Sequence, residues 1–296
     1  MFITKQNLKD WRLWYKLAVA SLITIFILEM LIKGMVNIDA KGDRSPWAIF
    51  GKDSEEVIGY DYFGYVINFF SFFTIQSNIL IVVWLMIGFF NHNKEGQIKP
   101  LQRTFSLSVV TFITVTALIF NFMLLPQVLT AKPNEFGEKP IPSEAGAAAL
   151  WWIEQMIVHT LGPIAAVVYF LFFMKQELEF NFKSFILKDF LKMIIYPLSY
   201  LAYTLIRGEL IYRSYGSNAQ LAQKHNAYPY FFLEIHNKNV FNSTNESIIT
   251  NGLFWLFIAA IAIIGILIGL GSLYLFVATK TSNIRKGWGN EEQKTK

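Results

Sequence analysis

Two polar residues inside long apolar runs, Thr74 and His159, are the residues best suited to chemistry. Thr74 lies in FFSFFTIQSNILIVVWL and His159 in WWIEQMIVHTLGPIAAVVYFLFF. Both runs are long enough to cross a bilayer, where a hydroxyl or an imidazole is costly unless it faces a cavity, a partner or a substrate. A threonine hydroxyl becomes a nucleophile when an adjacent base takes its proton, and imidazole is the usual base. The two residues therefore predict nucleophilic catalysis within the membrane.

The depth of the two residues favours the same interpretation. Counted from helix starts expected near Phe63 and Leu150, each lies roughly ten positions into its helix, about 15 Å along the axis. If the two helices run in the same direction, the hydroxyl and the imidazole meet near mid-membrane. We do not require a short hydrogen bond without substrate, because catalytic contacts often tighten only when substrate is bound.

Further polar side chains recur at helical spacing and are candidates for substrate binding. They turn inward together because the bilayer accepts none of them. A purely structural role is the alternative, since polar residues in membrane helices commonly hydrogen-bond a neighbouring helix. Arg207 could hold a carboxylate, and Gln76 or Asn78 could stabilise an oxyanion. The full set is Gln76, Ser77, Asn78, Glu154, Gln155, Tyr196, Tyr200, Tyr203, Arg207, Tyr228 and Tyr230.

Composition places the chain among integral membrane proteins. Its 296 residues are 54% hydrophobic and 16% charged, against about 25% charged in soluble domains. The sequence contains no cysteine, which excludes disulfides, thiolate catalysis and zinc–sulfur sites. The net charge of +5 does not indicate nucleic acid, and we expect no cofactor and no metal. The sequence identifies no protein partner.

Apolar runs predict an all-α, six-transmembrane-helix bundle at the cell membrane. No internal repeat of 20–50 residues is present, so residues 1–296 are expected to form a single membrane domain. Charges flank the fifth run at both ends, which makes it the weakest of the six. The predicted helices cover about 14–36, 63–90, 104–126, 149–174, 187–210 and 252–279.

Lysine and arginine residues predict the orientation of these helices. They are dense before the first helix, in the 91–103 and 175–188 loops and in the C-terminal tail, whereas the 37–62, 127–148 and 211–251 loops are longer and more acidic. The positive-inside rule then places both termini in the cytoplasm. Helices two and four run in the same direction, as a Thr74–His159 pair requires. The aromatic segment AYPYFFLEI makes the outer loop 211–251 a possible interfacial lid.

Four short segments resemble one family, the androgen-induced transmembrane threonine hydrolases, and most closely its bacterial six-pass branch. The segments are FFTIQSN at 72–78, His159 with Pro163, YPLSYLAYTLIRG at 196–208 and YPYFFLE at 228–234. They occur in the order typical of the family and cover about residues 63–235. Two features differ from the animal enzymes: the proline lies one residue closer to the histidine, and the outer loops are longer.

The resemblance implies an intramembrane hydrolase of lipid esters, notably fatty acid esters of hydroxy fatty acids. It implies Thr74 as the catalytic threonine and His159 as the catalytic histidine, acting on a membrane lipid or fatty-acyl ester.

Two other functions fit the sequence. One is a non-catalytic lipid or small-molecule transporter or binding protein whose buried polar groups form the site. The other is a metal-dependent membrane hydrolase using Glu154, His159 and one of His225, Glu234 or His236. The absence of a repeat favours an enzyme over a transporter, and the absence of closely spaced ligands disfavours the metal site.

Overall fold

The computed structural model describes residues 3–51, 56–133, 139–176, 178–241 and 247–284, and most of these residues are helical. Residues 242–246 of the predicted lid and 285–296 of the tail lie outside this part of the chain. The helices are α1 (Trp11–Val36), α2 (Tyr62–Ser71), α3 (Phe73–Phe90), α4 (Arg103–Thr130), α5 (Ala145–Phe173), α6 (Ile195–Ser214), α7 (Ala219–Lys224) and α8 (Gly252–Lys280). Short 3₁₀ turns cover Asn7–Lys9, Gly42–Arg44, His92–Lys94, Lys99–Leu101, Phe231–Leu233 and Ile248–Thr250.

Among the described residues, five helices are long and apolar enough to cross a membrane: α1, α3, α4, α5 and α8. Only 6% of the most apolar window of α8 is buried. An apolar helix with so little burial needs a hydrocarbon environment. The chain therefore has the helices of a multi-pass membrane protein. Four of the six predicted spans coincide with them within a few residues, and the predicted span 63–90 overlaps α3.

The fifth predicted span, 187–210, differs from the structure. Helix α6 begins at Ile195 and ends at Ser214, while residues 182–193 form a separate stretch that is π-helical over Phe185–Phe190. Pro197 accounts for the interruption, because it has no N–H for the carbonyl four residues earlier and its ring clashes with that carbonyl. Helix α6 is not among the five apolar helices, so a sixth span stays a prediction.

The second predicted span, 63–90, is interrupted. Helix α2 ends at Ser71, Phe72 adopts an extended conformation with ψ of 131°, and α3 begins at Phe73. Irregular backbone at membrane depth occurs where protein or a water-filled cavity surrounds it. The interruption lies directly before Thr74.

The mostly helical chain contains one element that the sequence did not predict, a β-hairpin in the loop between α1 and α2. Strand β1 (Ala48–Phe50) pairs antiparallel with β2 (Val57–Tyr60), with Ala48 opposite Tyr60. The Asp61 side chain then caps α2 by accepting a hydrogen bond of 2.7 Å from the Gly64 N–H. The hairpin therefore leads directly into the helix that precedes Thr74.

The described chain divides into two compact units. Unit 1 comprises residues 1–28, 76–193 and 267–296, and unit 2 comprises 29–75 and 194–266. The core of unit 1 includes Trp84, Phe170 and Leu107, all essentially buried. Trp84 donates its indole N–H to Ser106 at 3.1 Å, which satisfies the one polar atom of this large side chain.

Unit 1 also buries a chain of charged groups. Lys16 is fully buried and forms an ion pair with Glu95. Since an ammonium only donates, His92 Nδ1 accepts from Lys16 at 2.8 Å, and Nε2–H donates to Asp10 at 2.8 Å. Tyr169 donates to Glu95 at 2.5 Å. The cluster ties the start of α1 to the loop after α3 and to α5.

The carboxylates of this cluster are stabilised as anions. Burial alone would raise the pKa of Glu95, but the charge and hydrogen bond of Lys16 hold that pKa below its ordinary value. Burial would likewise raise the pKa of Asp10, but hydrogen bonds from His92 and Arg12 hold the pKa of Asp10 far below its ordinary value. Both groups are therefore charged at neutral pH.

Candidate functional site

Unit 2 presents Thr74 as the second residue of α3, directly after the interruption at Phe72. The Tyr200 hydroxyl bridges this interruption: it donates to the Ser71 carbonyl at 3.0 Å and accepts a hydrogen bond from the Phe73 N–H. One side chain thus satisfies backbone groups on both sides of the break, which would otherwise be unpaired. Tyr200 of α6 therefore stabilises the conformation that places Thr74 in the first turn of a helix.

Tyr230, from the outer loop, occupies the space next to Thr74. Its hydroxyl interacts with the Thr74 side chain, with the backbone N–H groups of Phe73 and Thr74, and with the Tyr200 hydroxyl. Burial raises the pKa of Tyr230, and these interactions partly offset that effect. The oxygen of Tyr230 thus lies at the first N–H groups of α3, which is where a helix favours negative charge.

The remaining tyrosines of α6 line the same region of unit 2. The Tyr203 hydroxyl lies 2.9 Å from Ser71 Oγ, and Ser71 in turn donates to the Ile67 carbonyl. The Tyr196 ring packs on Phe73 with centroids 5.9 Å apart. The tyrosines that recur at helical spacing on α6 therefore form a face that contacts the segment around Thr74.

Arg207 fixes the outer loop in place. Its Nη1 donates to the carbonyls of Asn226 and Ala227 at 3.0 and 2.8 Å, and its Nη2 donates to Asn68 Oδ1 at 2.9 Å. The predicted carboxylate partner of Arg207 stays untested, since these contacts use three of its five N–H donors. Arg207 therefore positions the loop that carries Tyr230.

Tyr228 packs directly against α6. A side chain at Gly208 would place a Cβ only 2.0 Å from the Tyr228 ring, so the close approach requires glycine. Burial raises the pKa of Tyr228 to about 12. Tyr228 therefore anchors the predicted lid segment rather than the residues around Thr74.

Unit 1 presents His159 within a π-helical turn of α5, Ile157–Leu161. The ring is nearly buried and stacks on Phe120 at 3.8 Å and 10°. His159 Nδ1 lies 3.2 Å from the Gln155 carbonyl. Because a carbonyl only accepts, Nδ1 carries the proton, and Nε2 of the neutral imidazole keeps its lone pair. This is the tautomer that a general base needs.

Neighbouring amides stabilise the π-helical turn. Asn78 donates to the Val158 carbonyl at 3.0 Å, and Asn121 donates to the His159 carbonyl at 3.2 Å. Thr160 donates to Asn121 Oδ1 at 3.2 Å. Such turns are uncommon and occur frequently at functional sites. Asn78 therefore supports the backbone that carries His159.

The other predicted residues of unit 1 have separate environments. Ser77 Oγ lies 2.8 Å from Thr116 Oγ1 on α4, which is a structural contact between helices. Glu154 is buried, with 2% exposed, and Gln76 is half-buried. Gln155 contributes its backbone carbonyl to His159.

The predicted set thus falls into two groups. Unit 2 brings together Thr74, Tyr196, Tyr200, Tyr203 and Tyr230, with Arg207 and Tyr228 holding the loop. Unit 1 brings His159 together with Asn78 and Gln155. Since Thr74 and His159 belong to different units, their pairing stays a prediction.

Sequence reasoning missed one contributor to the His159 environment, Phe120. It is one of 28 phenylalanines, and nothing in its local pattern singles it out. Its neighbour Asn121 is a polar residue in the third predicted span, and the sequence predicts that its amide points inward. Both belong to a second π-helical turn, Phe120–Leu124, in α4.

No group of three His, Asp or Glu side chains that could hold a metal ion occurs within the described ranges. The metal-dependent alternative therefore lacks a ligand set in this part of the chain. Comparisons with models of protein families, with curated proteins and with solved structures found no match.

Proposed function

We propose that the chain is an intramembrane lipid-ester hydrolase in which Thr74 is the nucleophile and His159 the general base. The observation that carries the proposal is the contact between His159 Nδ1 and the Gln155 carbonyl at 3.2 Å. Nδ1–H donates to this carbonyl, so the Nε2 lone pair is left for a substrate or nucleophile. A buried histidine with one oriented nitrogen is the arrangement that activates hydroxyl nucleophiles. The apolar surroundings of both residues suit a fatty-acyl ester.

The chemistry proceeds in two halves. His159 Nε2 takes the proton of Thr74 Oγ1 as that oxygen bonds to the ester carbonyl carbon. The C–O bond to the alcohol then breaks, and His159 returns the proton to the leaving oxygen. Water, deprotonated by the same nitrogen, attacks the acyl-threonine; the carboxylic acid leaves and the Thr74 hydroxyl is restored.

The first turn of α3 supplies stabilisation for the oxyanion. The N–H groups of Phe73 and Thr74 interact with the Tyr230 hydroxyl in the substrate-free chain. A substrate carbonyl that replaced this hydroxyl would receive the same two donors as negative charge develops on it. Tyr230 thus occupies the position of the oxyanion until substrate enters.

A comparison of Thr74→Ser with Thr74→Val tests the need for a hydroxyl. Serine keeps the nucleophilic oxygen, whereas valine keeps the shape of threonine without it. We expect Thr74→Ser to retain hydrolysis of fatty-acyl esters by the purified protein and Thr74→Val to lose at least about 10⁴-fold in rate. Equal rates in the two variants would contradict the proposal.

A second candidate, a non-catalytic lipid-binding or transport protein, is favoured by one observation. Transporters often build their sites at interrupted helices, and the α2–α3 interruption is such a feature. In that case the wild-type protein would bind acyl esters without turning them over, and neither Thr74 variant would change the rate of hydrolysis.

We further propose that the chain forms six membrane spans with both termini in the cytoplasm, following the lysine and arginine distribution. The chain has no native cysteine, so single cysteines report topology directly. An impermeant maleimide on intact cells should label Ala40→Cys and Lys224→Cys but not Gln97→Cys or Lys188→Cys; all four positions are exposed. Permeabilised cells, in which all four should react, provide the control. Labelling of Gln97→Cys in intact cells would overturn the orientation.

A further inference from the structure

Unit 2 contains an open cavity of about 530 Å³ between α2 and α6. Its volume falls within the range of pockets that bind small molecules. The proposed catalytic residues Thr74 and His159 do not line it, whereas Tyr203 and Arg207 of the predicted substrate-binding set do. The residues of its lining that bear on a ligand are Asp61, Phe63, Ile206, Arg207, Leu210 and His225.

One side of the cavity is open along an apolar face. Phe63, Ile206 and Leu210 line it and are 76%, 63% and 65% exposed. Large apolar side chains this exposed on adjacent helices of a membrane protein face acyl chains rather than water. With α6 as the sixth span proposed above, the cavity opens sideways toward the hydrocarbon, and a lipid tail can enter it without crossing a polar surface.

The opposite part of the lining carries one cation and one anion. Arg207 uses three N–H donors on the outer loop and on Asn68, which leaves Nε–H and one Nη2–H. Asp61 Oδ1 accepts from the Gly64 N–H, and the described contacts leave Oδ2 for a ligand. Guanidinium groups bind phosphate oxygens, and carboxylates bind ammonium groups.

The two charges lie at different depths. Asp61 directly precedes α2, at the loop end of the cavity. Arg207 lies seven residues before the end of α6 at Ser214, about 10 Å along the axis. A ligand anchored here presents its anionic group deeper and its cationic group nearer the loops.

His225 fixes the rim on the loop side. Its Nδ1 donates to the Pro46 carbonyl at 2.8 Å, and its ring stacks on Tyr215 with centroids 4.3 Å apart. These contacts join the first and third outer loops across the loop end of the cavity. The charged end of the cavity is therefore held in place by loop contacts, whereas the apolar side is open.

We propose that this cavity binds one zwitterionic phospholipid with a primary ammonium, of the phosphatidylethanolamine type, from the surrounding membrane. The phosphate interacts with Arg207, the ammonium interacts with Asp61, and an acyl chain follows the apolar face past Ile206. This order matches the lipid itself, in which the phosphate lies nearer the acyl chains than the ammonium does. The binding needs no catalysis, so it is independent of the proposed hydrolysis.

Native mass spectrometry of the delipidated full chain in detergent tests the proposal. Phosphatidylethanolamine, phosphatidylcholine and phosphatidylglycerol with identical acyl chains are titrated separately. We expect one phosphatidylethanolamine to bind at concentrations about tenfold lower than either other lipid, because only its ammonium can hydrogen-bond to Asp61. Asp61→Asn should remove this preference; asparagine caps helices as well as aspartate does, so α2 is retained.

A pair of tryptophan variants locates the bound lipid. Ile206→Trp fills the open side of the cavity and should weaken binding about tenfold or more. Leu198→Trp, at a similarly exposed position of α6 outside the cavity, should bind like wild type. Equal binding by the two tryptophan variants would overturn the assignment of the site. Wild-type preference for phosphatidylglycerol, or unchanged selectivity in Asp61→Asn, would overturn the assignment of the headgroup.

Discussion

Thr74→Ala and His159→Ala are each expected to reduce fatty-acyl ester hydrolysis by roughly 10⁴–10⁶-fold, and the double variant is expected to lose little more. The reason is that a threonine without its base and a base without its nucleophile are equally unable to form the acyl-enzyme. Initial rates of the purified wild type, both single variants and the double variant give the coupling free energy between the two substitutions. Additive losses of about tenfold each would mean that the two residues contribute independently and that other residues carry out the covalent chemistry.

Folding should survive both substitutions, which makes the rate comparison meaningful. Thr74 is half-buried, and its truncation leaves the Tyr230 hydroxyl with its backbone donors and Tyr200. His159→Ala loses the ring stacked on Phe120, but Asn78 and Asn121 bind backbone carbonyls of the turn that do not depend on the imidazole. Asn121→Ala therefore serves as a control, expected to affect the stability of the turn more than the covalent chemistry.

Lys16→Met is expected to destabilise unit 1 by about 3–5 kcal/mol, because it leaves the buried Glu95 carboxylate without its counter-ion. Thermal unfolding in detergent measures the loss. Lys16→Met combined with Glu95→Gln should recover much of it, since no unpaired charge then remains. Lys33→Met is the matched control: its ion pair with Glu29 is 3.5 Å long, and the two side chains are partly exposed, at 40% and 29%, so the cost should stay below about 1 kcal/mol. Equal losses in Lys16→Met and Lys33→Met would contradict this account of the cluster.

The same cluster predicts a direction for acid unfolding. The folded-state pKa values of Asp10 and Glu95 are depressed, so the carboxylates stabilise the fold fully above their unfolded pKa of about 4. That stability is lost progressively as the pH falls below this value. In Lys16→Met this acid dependence should be smaller, because the largest source of the Glu95 depression is gone.

The apolar helices were predictable because their signal is long and uniform. The bounds predicted for α1, α4, α5 and α8 differ from the structure by a few residues at each end, where helices commonly vary. The break at Ile194 could also have been inferred from Pro197. The interruption at Phe72 could not, because FFSFFTIQSN contains neither proline nor glycine; tertiary hydrogen bonds from Tyr200 and Tyr230 produce it.

The sequence allowed the residue types of the candidate site to be predicted, but few of the contacts between them. The tyrosine spacing of α6 identified a face that does contact the Thr74 segment. The π-helical turn at His159 left no pattern in the sequence, since such turns depend on neighbours such as Asn78 and Asn121. The charge pattern of the sequence groups Lys16 with the basic residues near the N-terminus, which are predicted to be cytoplasmic, whereas the structure buries it with Glu95. A single buried lysine cannot be distinguished from a flanking one without knowing which carboxylate folds onto it.

The most direct test of Thr74 as nucleophile is to locate a covalent adduct. A lipid-like fluorophosphonate is incubated with the purified wild-type protein, and mass spectrometry of the digested chain identifies the modified residue. The account predicts an adduct on Thr74 that forms much more slowly in His159→Ala and is absent from Thr74→Val. An adduct on another residue, or no adduct in a protein that hydrolyses fatty-acyl esters, would contradict it.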